Sequence, residues 1–525
     1  MDRLAAANET PKRHHALAVP FCGQGHLNPL MKFCKKLAKC GGFVVTFVDI
    51  DPVYTRIKQV LADDERQQQK TMKNVGLIAE QEEEEVDIRR VSMAVEGLDL
   101  KQDFRVSVAS MINAYNECGP QMQRLAEQLD PPVTCIIADL VVALPANHVA
   151  TSLKIPWIAF YPSSLACCLL GDYILSSTSK ENGNTESDTS ASIKPAPSLE
   201  AVLEILTGRT TQNTADVICE GLPGLPTITK RELINFKHVV NDNDFAWRHR
   251  MRALHLFKTR GDAFVVNSSS ALEGLELQAL SHRWGTQLPV HAVGPLMEPL
   301  KQKCSTSLWK EDEQCLEWLD RQRPGSVLYI SFGSFTLLSV SQVDEFVAGL
   351  LSTGRPFLWS LRPDLVIGGC LPAHLDAQIS EARAEGRAYV AHWVPQNRVL
   401  SHQSVGGFLT HCGWNSVLEA VYHGVPMLCW PYFTDQFLDA MYMADVWKIG
   451  LYFPSIRKGD TEAQRSEIEA MISLLMEGDD AERLRENAKR LQEKCRTELL
   501  PEGTSPQNIQ QLIDSLQLGG SRKPI

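Results

Sequence analysis

Short apolar runs alternate with helical patterns along most of this chain, and the alternation starts again near residue 326. In the first half the runs 15–20, 43–49, 133–138, 156–160 and 263–267 read as strands. In the second half 326–331, 356–361, 388–391, 405–410 and 425–430 do so. Strands separated by helical segments assemble as parallel sheets with crossover connections. The fold class expected is α/β, and two doubly wound domains explain the restart better than one very large sheet. The 525 residues hold enough material for two to three full cores. Expected boundaries are a first domain at 14–297, a linker at 298–311, a second domain at 312–485 and two closing helices within 486–517.

Three stretches read as loose. Residues 62–90 are polar and carry Glu82 to Glu85, the composition of a solvated loop. Residues 176–197 have the composition of a disordered insertion. Residues 298–311 follow "HAVGPL" and supply the linker. The net charge of −11 argues against a nucleic-acid partner, whose phosphates need a basic face. The 14 cysteines include no C-x-x-C; Cys34, Cys135 and Cys429 lie in apolar periodic segments and read as reduced core thiols of a cytoplasmic protein. The first residues lack a signal-peptide core, and no apolar run reaches the roughly 18 residues of a membrane span. A soluble monomer is expected.

"PFCGQGHLNP", residues 20–29, follows an apolar run and precedes an amphipathic helix, where α/β proteins keep ligand sites. Gly23 and Gly25 suggest a dinucleotide turn, and Asp49 and Asp51 close the next strand at a plausible distance. The third glycine of G-x-G-x-x-G is missing, because Asn28 stands there. The alternative is a turn that carries a working histidine, His26.

Residues 393–436 decide. "VGGFLTH" is a buried strand, "CGWNS" a glycine-bearing turn, and "NSVLEAVYH" a helix stopped by Gly424. His411, Gly413, Asn415 and Ser416 then sit at a helix N-terminus, where free N–H groups and the dipole favour an anion. Ser416-Val417-Leu418-Glu419 also reads as an ordinary capping box. Trp393, Gln396, Trp414, Asp435 and Gln436 on separate turns suit a ligand with a flat base, hydroxyls and charge.

This window resembles the 44-residue signature box of plant family 1 UDP-glycosyltransferases: W-x-P-Q, G-x-F-x-T-H-C-G-W-N-S, G-V-P-M, W-P and D-Q fall in register. "GQGHLNPLMKF", "GLPGLP", "FVVNSSSALE", "AVGPL" and "SVLYISFGS" are similar to other stretches of that family, so the resemblance spans most of the chain. It implies the GT-B architecture, with an acceptor-binding first domain, a donor-binding second domain and a last helix that crosses back. It also implies that Trp393, with Val394 beside it, stacks on uracil, that Gln396 fixes the uracil edge, and that Glu419 accepts from the ribose. His411, Gly413, Asn415, Ser416 and Ser334 would hold the diphosphate. Trp414, Asp435 and Gln436 would read the sugar, and a final Gln goes with glucose.

The reaction implied is inverting transfer from UDP-glucose to an acceptor hydroxyl, with His26 as general base and Asp139 as the carboxylate that supports it. A histidine of pKa about 6.5 is largely neutral at working pH and suits that role. Asp103 is the fallback for Asp139. The acceptor pocket would use Gly25, Tyr161, Ser163 and Phe433, with walls from 97–118, 161–171 and 200–256. Those stretches are apolar with few charges, which fits a phenolic, flavonoid or terpenoid acceptor. No metal is expected: Asp49-Ile50-Asp51 and Asp242-Asn243-Asp244 are short D-x-D triplets, the first reading as strand-end solubility, and no His/Cys cluster has zinc spacing. Rival readings are another UDP-sugar, an enzyme forming glucose esters, a sugar-nucleotide-binding protein without catalysis, and an NAD(P)-dependent oxidoreductase.

Overall fold

The computed structural model describes residues 13–75, 86–95, 108–181, 198, 200–202, 217–233, 243–300 and 306–518. β1 (His15–Val19), β2 (Val44–Ile50), β3 (Ile88–Met93), β4 (Cys135–Asp139) and β5 (Trp157–Tyr161) open the first sheet. β6 (Val217–Cys219) and β7 (Ile228–Thr229) form a small antiparallel pair apart from it. β8 (Ala263–Val266) and β9 (Val290–Ala292) complete a parallel sheet of order β3-β2-β1-β4-β5-β8-β9. The second sheet is built from β10 (Val327–Ser331), β11 (Phe357–Ser360), β12 (Ala388–Ala391), β13 (Val405–Thr410), β14 (Met427–Cys429) and β15 (Gly450–Tyr452). Its order is β12-β11-β10-β13-β14-β15, again parallel.

Why these runs become strands is plain from their burial. Every residue of β1, β2, β4 and β5 is buried, and a parallel strand covered on both faces reads as a continuous apolar run. Helices cover both faces of each sheet and leave two cores. One holds Phe33, Phe47, Trp157 and Phe160, the other Phe346, Trp359 and Phe408. The helix Thr504–Gln517 buries Ile509, Leu512 and Ile513 in the first core, and its Ser505 and Asn508 donate to Gly294 O and Ala292 O beside β9. The chain therefore ends by crossing back to the sheet it started with.

All ten expected strands form, and several loose readings need correction. Residues 62–75 are not loop: the helix Asp51–Val75 runs through them, because Gln, Lys, Glu and Arg are good helix formers once Val53 and Ile57 anchor the first turns. Residues 88–93 form the edge strand β3, whose charged side chains hid it from a search for apolar runs. Asp49 does not serve strand-end solubility. It is buried and takes Arg90 Nε at 2.9 Å and Nη2 at 2.6 Å, tying β2 to β3. Residues 176–181 continue the helix Leu165–Glu181, with Ser176 and Ser177 hydroxyls donating to Asp172 O and Tyr173 O one turn back. The rest of the expected insertion, residues 182–197, lies outside the described residues, as does Asp103. Within the linker, Thr306, Ser307 and Leu308 are buried rather than loose. The helix Gly478–Glu498 runs unbroken through residue 485. All the described cysteines are free, and no described helix is long and apolar enough to cross a membrane.

Asp172 knots three helices of the first domain. Its fully buried carboxylate takes Lys258, Arg283 and the Trp284 indole N–H, the last at 2.9 Å. Burial pushes its carboxyl up, but Lys258 and Arg283 outweigh burial and hold it below the ordinary aspartate value. Removing the carboxylate strands two cations that are each about a quarter exposed. We expect Asp172→Ala to lose about 3 kcal/mol, the low end for breaking a buried pair. Because the folded pKa is depressed, this stability is present above the unfolded pKa of about 3.9 and is lost as pH falls through the lower folded value. Urea unfolding of wild type and variant at neutral pH and in acid should show the gap narrowing; a gap that stays constant would exclude the ionised contact.

Candidate active site at the facing sheet edges

In a doubly wound sheet the loops leave in opposite directions where the strand order reverses, which opens a crevice at the C-terminal strand ends. The reversals here are β1/β4 in the first sheet and β10/β13 in the second. At or just beyond the ends of these four strands stand His26, Asp139, Ser334 and His411. They face one cavity of about 1930 Å³. Every residue that the sequence reading assigns to the site lines it, Gly25, Ser163 and Val394 included.

His26 sits in the first turn of the helix Gln24–Gly41, with its N–H on Gly23 O at 2.9 Å. Its Nδ1 lies 2.6 Å from Asp139 Oδ2. Asp139 is 1% exposed, and its other oxygen accepts from Val141 N at 2.9 Å. The carboxylate cannot rotate away, so it fixes His26 with Nδ1–H donating and Nε2 carrying the lone pair. Phe21 lies edge-on to the ring at 5.3 Å, and 29% of the side chain stays exposed to the cavity. Burial pulls the imidazole pKa down; Asp139 overcomes this and leaves it above the ordinary histidine value, with a further push from Asp435.

On the opposite wall His411 ends β13. Burial lowers its pKa to about 4, so the ring is neutral. It is wedged between two glycine turns: a Cβ on Gly333 would come 2.4 Å from its Nε2, and one on Gly413 2.5 Å. Gly333 also has φ +74°, which favours glycine for a second reason. The buried Nδ1 of His411 has no protein partner among the described residues. The helix Trp414–His423 begins here with Gly413 as its N-cap. This corrects the capping-box reading, since Ser416 already lies inside the first turn and no side chain caps the helix. The first-turn N–H groups are left for a ligand.

The remaining donor-side residues are tied into the frame. Gln396 donates to Ser416 Oγ at 3.0 Å and Glu419 Oε2 at 2.8 Å and accepts from Tyr329 OH at 3.0 Å, so its amide orients the carboxylate. Gln436 Oε1 accepts from Tyr432 N and Phe433 N and shapes the loop after β14. In that loop Thr434 holds φ +58° and donates to Asp435 Oδ1 at 2.8 Å. Trp393 packs against Trp309 with centroids 4.7 Å apart and the rings tilted by 41°, and Arg362 covers Trp309 at 3.9 Å. Gln24 grips the same linker through Thr306 O at 3.0 Å and Leu308 N at 2.9 Å.

Several contacts join the two halves across the cavity. Asn415 Nδ2 donates to Gly25 O at 2.6 Å, the Trp414 indole N–H donates to Asn267 O at 2.8 Å, and Lys32 Nζ reaches Glu419 at 3.4 Å. The Trp414 indole N–H is therefore engaged by protein. Sequence reasoning missed Gly333, Asn267, Gln24 and Arg250. "SFGS" carried a signal for the first; the other three look like ordinary helix or strand-end residues. Among the described residues no cluster of three or more His, Cys, Asp or Glu forms a metal-binding group.

Known proteins resemble this chain in sequence and fold. The family model described as UDP-glucoronosyl and UDP-glucosyl transferase matches residues 295–461. The chain is 32% identical to UDP-glycosyltransferase 85A1 of Arabidopsis thaliana, covering 97% of each. It is 30% identical to a 7-deoxyloganetin glucosyltransferase of Catharanthus roseus and to an (R)-mandelonitrile beta-glucosyltransferase of Prunus dulcis, covering 98% of each chain in both cases. A Polygonum tinctorium UDP-glucosyltransferase superposes with TM-score 0.70 at 26% identity, over 96% of this chain and 99% of that one. A Medicago truncatula enzyme solved with UDP-glucose gives 0.73 at 23% identity, over 97% and 99%. Two parallel-sheet domains facing a cleft are the GT-B fold. The chain belongs to the plant UDP-glycosyltransferases and is a glycosyl-transferring enzyme.

The seat of His411 gives a direct test. Gly333→Ala adds a Cβ where φ is positive and the imidazole is 2.4 Å away. Strain of this kind is worth about 1–3 kcal/mol. Calorimetric titration with UDP should show affinity falling about 5- to 150-fold; unchanged affinity would mean that this turn does not shape the anion seat.

Proposed function

We propose that the protein transfers glucose from UDP-glucose, with inversion, to a hydroxyl of a hydrophobic small molecule, giving a β-glucoside without a metal. The observation that carries this reading is the short His26–Asp139 pair standing across one cavity from the helix N-terminus at Trp414. His26 Nε2 takes the acceptor proton as its oxygen attacks the anomeric carbon, and the anomeric bond to UDP breaks on the opposite side. The imidazolium that forms is held by Asp139, as in other His–carboxylate pairs. Trp393 is a face for uracil, Glu419 an acceptor for ribose hydroxyls, and the first-turn N–H groups with Ser334, Asn415 and Ser416 a seat for the diphosphate. Asp435 and the free amide of Gln436 face the sugar. The enzyme works as a monomer in the cytoplasm. Phe21, Met111, Leu140, Trp247 and Phe433 give the acceptor side its apolar surface.

The primary experiment follows UDP release from UDP-glucose with phenolic and terpenoid alcohols, with and without EDTA. Acceptor-dependent release that survives EDTA is expected. General-base catalysis contributes about 10²–10⁴-fold, so His26→Ala should lose that much with weakly acidic alcohols and less with acidic phenols. Equal loss on all acceptors would remove His26 as the base, as would no loss on any.

A pH profile separates support from structure. The base works neutral, so kcat/KM rises with pH through the His26 pKa, which Asp139 holds above the ordinary value. Asp139→Asn removes that push, and the acidic limb should move to lower pH while the maximal rate falls. A limb that stays in place would assign it to another group. Gln436→His tests the donor: a glucose-over-galactose preference that does not change would leave the glucose assignment without support.

A further inference from the structure

The acceptor wall is not wholly apolar. Arg250, on the helix Asn243–Arg260, lines the cavity beside Tyr161. Its Nη2 donates to Tyr161 OH and, at 2.9 Å, to Cys167 O. Its Nη2 also lies 3.0 Å from Cys167 Sγ. Among the described residues no carboxylate forms an ion pair with this guanidinium, and Nη1 and Nε make no hydrogen bond. The groups it touches are neutral, since burial raises the thiol of Cys167 and the phenol of Tyr161; Asp435 acts on both from a distance but forms no ion pair with the guanidinium among the described residues. An arginine cannot discharge by losing its proton. Arg250 is half-buried on the cavity wall, and a charge partly withdrawn from water without an ion-pair partner is costly to keep. Its missing partner is therefore sought in the cavity.

Tyr161 strengthens the point. Its oxygen accepts from Arg250, and a phenol can donate as well as accept. Two donors, one charged, thus stand side by side on the acceptor wall. Their position relative to the base follows from strand register. Asp139 pairs with Phe160 across β4 and β5, and Tyr161 is the next residue along the same rim. Neighbouring strands lie about 4.8 Å apart, so these donors stand one strand over from His26–Asp139.

We propose that Arg250, with Tyr161, binds a carboxylate of the acceptor remote from the hydroxyl presented to His26, so that the preferred acceptors are hydrophobic hydroxy acids. This rests on the glucosyl-transfer reading and names its acceptor class. Arg250 is a specificity residue and takes no part in proton transfer. The product keeps its carboxylate free and carries a base-stable glucoside.

The test compares p-hydroxybenzoic and p-coumaric acids with their methyl esters. In the wild type the acid-to-ester ratio of kcat/KM should be about 10 to 100, the size of a charge-assisted hydrogen bond. Arg250→Met should bring the ratio to within about threefold of unity, mainly through KM for the acid. Arg250→Lys should keep part of it, since charge remains but the fork is lost. A merely structural role would lower both acceptors together and leave the ratio intact, which overturns the proposal. So would a wild-type ratio near unity, or a base-labile glucose ester as product. If the methionine variant does not bind UDP, Arg250→Lys and Tyr161→Phe decide, and an unchanged ratio in both overturns the proposal. Calorimetric binding of the acids in the presence of UDP needs no turnover. Acid affinity that falls in Arg250→Met without any transfer faults the reaction, whereas transfer with an unaltered ratio faults Arg250.

Discussion

The site depends on one constraint of parallel sheets: all the strands of a sheet end on the same rim. β1 and β4 are adjacent, with Val19 in register with Ala138, so the residues just beyond them emerge side by side. That is why a histidine on one loop meets an aspartate more than a hundred residues later at 2.6 Å. The same rule puts the glycine turn after β10 against the histidine after β13. Neither pair needs a dedicated scaffold. The strand order provides it, and the loops have only to carry the right side chains.

Electrostatics then divides labour between two histidines in one cavity. His26 has a buried carboxylate at Nδ1 and is held above its ordinary pKa. At His411 desolvation outweighs the upward push of the Ser331 backbone and Asp435, and the ring lies near 4. One is poised to gain a proton and be stabilised for it, and the other stays neutral throughout the working range. The difference comes from what touches Nδ1 in each ring: Asp139 in the first, nothing among the described residues in the second.

Much of this was legible in the sequence because the relevant signals are local. The buried strands are short apolar runs, Gly424 marks a helix end, and the segment from Trp393 to Gln436 carries its turns and polar residues in one stretch. What was hidden required knowledge of a neighbour. β3 is an edge strand written in charged residues, and only Asp49 on β2 explains Arg90. The polar continuation of the helix Asp51–Val75 reads as loop until its first turns are seen to be anchored. Arg250 stands in "AWRHRMRAL", where periodicity cannot tell which of three arginines faces inward. Gln396 and Trp414 were found by pattern, yet their side-chain bonds go to protein, because a pattern reports that a residue belongs to a site and not which of its atoms face the ligand.

The bridge from Asn415 to Gly25 O has a thermodynamic corollary. Asn415 lies at the start of the helix proposed to seat the diphosphate, and Gly25 is the residue before His26, the proposed base. A ligand that changes the hold of Asn415 therefore changes the free energy of bringing the halves together, and by reciprocity the closed arrangement changes the affinity for that ligand by the same factor. On the proposed site assignment, occupancy of the nucleotide seat is then felt at the base, with the Asn415 amide as one of the links between the halves. Binding order and resistance to wasteful hydrolysis are then two readings of one coupling energy.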